Sequence, residues 1–133
     1  METMLPERLS TVAELEVLLS RPSPALVSFM RTLDGDIMVV GAGGKVGPTM
    51  ARLAQRASTA AGVTRRIIAV DVAPLEALAA DGIETIQCDL LDLEAVSRLP
   101  RARNVIYMVG RKFGSTGAES QTWAVNCIAA YHV

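Results

Sequence analysis

The chain has 133 residues, enough for one domain and too few for two ordinary ones. Half of the residues are hydrophobic and only 4% are aromatic, the Val/Leu/Ile/Ala/Met palette of buried strands with helices packed on them. A net charge of −1 with scattered basic residues argues against a nucleic-acid surface or a polybasic membrane patch, and leaves a small molecule as the expected partner.

In chain order, residues 1–35 read as a helical extension. The start, Met1 to Glu7, has neither the basic nor the apolar region of a signal peptide. Thr11 and Glu14 make a capping box, and Val12, Leu15, Leu18 and Leu19 recur at helical spacing. Arg21-Pro22-Ser23-Pro24 breaks that helix. A second helix carries Leu26, Val27, Met30 and Leu33 on one face and stops at Asp34-Gly35-Asp36. This hairpin is expected to pack against the domain; a dimer contact or a cover over the substrate side are the alternatives.

From Ile37 the pattern changes to strand and helix in alternation. Ile37-Met38-Val39-Val40 is a short apolar run ending at a glycine loop, as a buried parallel strand does. Residues 49–61 follow as a helix ended by Gly62, then residues 66–71 as a second buried strand closing on Asp71. Residues 74–80 make a short helix with Pro74 in its first turn. Residues 84–88, 92–99 and 104–109 give a third strand, a third helix and a fourth strand, and a Gly/Ser/Thr loop leads to a helix from Glu119. The expected fold is α/β: a Rossmann-type, doubly wound parallel sheet of about four strands over residues 36–133, with the helical extension before it. Because Tyr131-His132-Val133 is neither cap nor tail, the sequence reads as the front of a longer protein or a fragment of one. An incomplete sheet would leave an open edge, which suggests a homo-oligomer or further strands.

No apolar run reaches the ~18–20 residues of a membrane span, so a cytoplasmic protein is expected. Cys88 and Cys127 form no CxxC pattern and read as free thiols packed as small hydrophobes in a reducing compartment. A single histidine, His132, leaves no basis for a His-based metal site or triad.

The loop Gly41-Ala42-Gly43-Gly44-Lys45-Val46-Gly47 carries the chemistry. It follows a buried strand and opens a helix, the context in which backbone amides and a helix N-terminus can hold a pyrophosphate. The spacing GxGxxG would need glycine at Val46; GxxGxxG fits Gly41, Gly44 and Gly47. Lys45 is either near a phosphate or simply exposed in a surface loop. Asp71 ends the second strand, 24 residues after Gly47, where an acid can accept hydrogen bonds from ribose hydroxyls and repel a 2′-phosphate. That favours NAD over NADP. Arg65 and Arg66 lie at the far end of the strand. Asp89, just after the third strand, or the Leu90 amide would meet an adenine edge; otherwise Asp89 is an N-cap or loop aspartate.

With GAGGKVG, IIAVDV and CDLLD in place, residues 36–133 resemble the N-terminal part of the extended short-chain dehydrogenase/reductase family, the NAD-dependent epimerases and dehydratases. The resemblance implies that the loop after the fourth strand, Val109-Gly110-Arg111, passes beside the cofactor, although Tyr-Met-Val-Gly-Arg departs from the common His-Leu-Ala-Ala. It also relates Trp123-Ala124-Val125-Asn126-Cys127-Ile128-Ala129-Ala130 to a helix that carries an asparagine followed by small residues. It implies an oxidoreductase that transfers hydride between nicotinamide and a sugar, nucleotide-sugar or alcohol. In that family a tyrosine and a lysine four residues apart handle the proton. Here the only lysines are Lys45 and Lys112 and the only tyrosines Tyr107 and Tyr131, so no catalytic residue is assigned. Tyr107 does have Arg111 at i+4, but an arginine does not replace the lysine. The alternatives are a non-catalytic NAD(P)-sensing module, since the fold does not imply catalysis, and an S-adenosylmethionine-dependent methyltransferase, which the long glycine pattern disfavours.

Overall fold

Ile37 to Val40 form β1, and all of its residues are buried. Their side chains alternate between the two faces of a sheet, and both faces are covered, so the strand has no polar position. The structure, a computed structural model, describes residues 5–111 and 116–133. Its elements are α1 (Val12–Leu19), α2 (Pro24–Thr32), β1 (Ile37–Val40), α3 (Gly47–Ala61), β2 (Ile67–Asp71), α4 (Glu76–Ala80), β3 (Glu84–Gln87), α5 (Leu93–Ser97) and β4 (Asn104–Tyr107). A final helical stretch consists of α6 (Glu119–Trp123), a π-helical turn (Ala124–Ile128) and α7 (Ala129–His132).

The four strands form one all-parallel sheet in the order β3-β2-β1-β4. Ile37 aligns with Ile67 on one side and Asn104 on the other. Ile37, Val39, Ile67 and Ala69 face a core shared with Met30 of α2, Ala51, Ala54 and Ala57 of α3, and Leu78 of α4. Met38, Val40, Ile68 and Val70 face the opposite core with Leu90, Val96 of α5 and Ala129 of α7. Helices therefore cover both faces, which makes this the expected Rossmann-like, doubly wound α/β fold. Small alanines at helical spacing let α3 lie close to the sheet. The chain moves outward from β1 to β2 and β3, then returns to the other side of β1 as β4. That reversal opens a crevice at the C-terminal ends of β1 and β4, where ligands of such sheets bind.

The two sheet edges differ. On β3, Glu84 receives two hydrogen bonds from Arg66, at 2.9 and 2.7 Å. The β4 edge shows Val105, 46% exposed.

Several element ends differ from the sequence reading. β3 stops at Gln87 and β4 at Tyr107, because their partners end at Asp71 and Val40; the next residues add only single bonds, Cys88 N–H to Asp71 O at 2.9 Å and Met108 N–H to Val40 O at 2.8 Å. The helix expected from Pro74 begins at Glu76 with Leu75 as its N-cap. The helix expected from Asp92 is the shorter α5, and Asp92 caps it by accepting from the Glu94 and Ala95 amides. Residues 112–115, including Lys112 and part of the Gly/Ser/Thr loop, lie outside the described residues, as do residues 1–4 of the N-terminal segment.

The extension packs on α3 as expected, but by different means in its two helices. α2 inserts Met30, with Leu26 and Leu33 beside it. Arg65 closes the end of α2, donating to the Met30 and Leu33 carbonyls at 2.7 and 2.9 Å. α1 keeps its capping box, yet buries none of its residues; Val12, Leu15 and Leu19 are exposed. Polar contacts tie it down: Glu16 accepts from Arg52 at 3.2 Å and Thr49 at 3.0 Å, and Arg56 donates to Ser20. Among the described residues no helix is long and apolar enough to cross a membrane.

Candidate functional site

The C-terminal ends of the strands frame an open cleft of about 570 Å³, within the ~300–1,000 Å³ range of small-molecule sites. Of the residues singled out in the sequence, Gly41, Gly43, Gly44, Asp71, Asp89, Leu90, Val109 and Gly110 line it together. Lys45, Val46 and Gly47 do not line this cavity and belong to the start of α3. No described residue of the extension lines it either, so the alternative of a substrate-side cover has no support among the described residues.

The loop folds as it does because its first amides are committed within the protein. Gly41 and Ala42 N–H donate to Val70 O at 2.8 and 3.1 Å, and Gly44 N–H to Gly41 O at 3.3 Å. Gly43 N–H donates to the Asp71 carboxylate at 2.8 Å. The next two amides, of Lys45 and Val46, have no protein acceptor among the described residues. α3 has no side-chain cap, and Pro48 sits in its first turn, where a missing N–H removes no ladder bond. The open end of α3 is thus left with donors and a partial positive charge.

Three glycines have three different reasons. Gly41 holds φ +84°, and a Cβ there would lie 2.9 Å from the Met108 and Val109 backbone. At Gly47 a Cβ would lie 2.5 Å from Ala42 O, so the helix could not seat on the loop. At Gly44 a Cβ would come no closer than 3.4 Å to any described atom, so packing among the described residues does not demand a glycine there.

Asp71 is half-buried and fixed in orientation. One oxygen accepts from Gly43 N–H and the other from Ala73 N–H at 3.0 Å. The arginines before β2 are engaged far from it: Arg65 on the carbonyls of α2, Arg66 on Glu84 and Asp36. Asp89 is exposed and accepts from Leu91 N–H at 2.9 Å, a loop-stabilising role, while α5 takes its cap from Asp92. Leu90 is buried, and its N–H has no protein acceptor among the described residues. Cys88 lies in the same wall, and burial, with Asp89 and Asp92 nearby, pushes its thiol pKa up. Cys127 is exposed, contrary to the expectation that both thiols pack as small hydrophobes.

The far wall runs from Met108 to Arg111 and on to Gln121, Val125 and Ala129 of the final helical stretch. Two residues that sequence reasoning gave no role fasten that stretch to the cleft. Asn126 accepts from Arg111 N–H at 2.7 Å and donates to Arg111 O at 3.4 Å. His132 Nδ1 lies 2.7 Å from Leu90 O. The family resemblance had picked out Asn126 as the asparagine of this helix, without a role for it; nothing in the sequence pointed to His132. Tyr107 does not line the cleft; its buried hydroxyl has no partner among the described residues, and burial raises its pKa. Among the described residues no group of three or more His, Cys, Asp or Glu is placed to hold a metal ion. In comparisons with known proteins, the chain matches no family model, no curated protein and no solved structure.

Proposed function

We propose that the cleft binds NAD, and that the chain is the cofactor-binding portion of an oxidoreductase of the NAD-dependent epimerase/dehydratase type. The observation that carries this reading is the meeting of Gly41, Gly43, Gly44, Asp71 and Leu90 in one cleft, with the unclaimed amides of Lys45 and Val46 following Gly44, a glycine that packing among the described residues does not require. A pyrophosphate needs donors of this kind, a close approach without a Cβ, and the N-terminal end of a helix. The residues present fit the cofactor at its other end too. Asp71 is held at the mouth of the cleft, suited to accept from ribose hydroxyls, and the Leu90 N–H and the Asp89 carboxylate lie along the wall where an adenine edge would run. The Asp71 charge disfavours a 2′-phosphate, and the engaged Arg65 and Arg66 offer it no compensation.

When bound, the nicotinamide supplies a hydride acceptor for a sugar, nucleotide-sugar or alcohol carbon. The residues of this chain bind and orient the dinucleotide; its two tyrosines and two lysines make no Tyr-x-x-x-Lys pair. A second reading is a non-catalytic NAD-sensing module, since the fold by itself does not imply catalysis. Calorimetric titration with NAD, NADP and S-adenosylmethionine tests the ligand. NAD is expected to bind at least about tenfold tighter than NADP, a difference of ~1.4 kcal/mol, with no binding of S-adenosylmethionine. Binding of S-adenosylmethionine without NAD would overturn the reading.

A further inference from the structure

The two loops that wall the cleft, after β3 and after β4, belong to opposite edges of the sheet and share no strand pairing. One helical stretch grips both. Asn126 makes a two-bond clamp on the backbone of Arg111, next to Val109 and Gly110. Six positions on, His132 reaches the carbonyl of Leu90 on the other wall. A carbonyl only accepts, so Nδ1 carries the proton in this contact. Asn126 lies inside the π-helical turn, a departure from regular helix of the sort that recurs at functional sites. The β4 loop is also pressed from its other side by Gly41, whose missing Cβ admits the Met108–Val109 backbone. Neither contact adds apolar burial: Asn126 is exposed and His132 half-buried. What both contacts fix is loop position.

We infer that Asn126 and His132 are positioning residues that brace the two walls of the cleft from one helix, His132 setting the adenine-side wall and Asn126 the wall beyond the crevice. The inference rests on the dinucleotide reading, and it gives the two residues separable effects. AMP would use the glycine loop, Asp71 and the Leu90 wall, whereas NAD also reaches the β4 loop. Substituting Asn126→Ala should weaken NAD by about three- to tenfold, the scale of one or two hydrogen bonds, and leave AMP unchanged. Substituting His132→Ala should weaken AMP and NAD alike. The conservative variants rescue: Asn126→Asp retains an acceptor for Arg111 N–H, and His132→Asn places an amide donor near the position of Nδ1. Equal losses of AMP and NAD in both alanine variants, or no loss in either, would overturn the brace. Hydrogen exchange at the Arg111 amide judges the clamp without any nucleotide. Protection lost in Asn126→Ala and kept in Asn126→Asp supports it, and protection unchanged in both overturns it. A wild-type protein that binds neither AMP nor NAD refutes the cofactor reading instead, whatever the exchange shows.

Discussion

At the scale of single residues, the glycine loop separates what the fold needs from what a ligand needs. Gly41 and Gly47 are demanded from within, one by a left-handed φ and a backbone neighbour, the other by the seat of α3 on Ala42. Gly44 is demanded by nothing among the described residues. Substituting Gly44→Ala should therefore leave the unfolding free energy within about 0.5 kcal/mol of wild type while lowering NAD affinity about tenfold or more. Gly41→Ala and Gly47→Ala should lower stability by about 1–3 kcal/mol through strain and overpacking. Urea denaturation and nucleotide titration on the three variants check this. A Gly44→Ala protein that binds NAD as well as wild type would show that no phosphate approaches there. The sequence marks the loop and Asp71 clearly, because strand, glycines and acid are local and in order. It cannot tell which glycine serves which purpose, since that depends on Met108, Val109 and Ala42 arriving from elsewhere in the fold.

At the scale of elements, β1 and β2 were legible because both faces are buried and every position is apolar except Asp71, which ends β2 at the cleft. The ends of β3 and β4 were not, because a strand ends where its partner's ladder ends, and that is a property of the neighbour. α1 shows the limit of periodicity in another way: its leucines recur at helical spacing, but spacing does not say which face is covered, and Glu16 rather than an apolar stripe holds it to α3. The π-helical turn has no sequence signature and is seen only through Asn126 and the loop it grips. The β3 edge carries a pH-dependent contact. The hydrogen bond from Arg66 holds the Glu84 carboxyl below its usual range. A depressed carboxylate contributes stability above its unfolded-state pKa and loses it as pH falls through the folded value. The stability difference between wild type and Glu84→Gln should then be present at neutral pH and vanish below the ordinary carboxylate range. It should shrink with added salt, because both partners are largely solvated. Chemical denaturation at several pH values and two ionic strengths measures it; a difference that grows on acidification would contradict the assignment.

At the scale of the whole molecule, function rests on what the sheet brings together. Residues from Gly41 to Ala129 meet at the C-terminal end of one parallel sheet, around the point where strand order reverses. The alternation of strand and helix was enough to foresee the sheet and its crevice. The helical stretch that closes the far wall was foreseen as a helix and not as a wall, because its contacts with Leu90 and Arg111 span 42 and 15 residues of sequence. The central claim is that the cleft takes NAD and that Asp71 selects it. The most direct test is the ratio of NAD to NADP affinity in wild type, Asp71→Ala and Asp71→Asn, measured by calorimetry. Wild type should prefer NAD. Asp71→Ala should weaken NAD by ~1–2 kcal/mol and narrow the ratio, the scale of hydrogen bonds to a charged group. Asp71→Asn, which keeps an acceptor for Gly43 N–H and loses the charge, should narrow the ratio mainly by improving NADP. Tighter binding of NADP by wild type, or a ratio indifferent to both substitutions, would contradict the account.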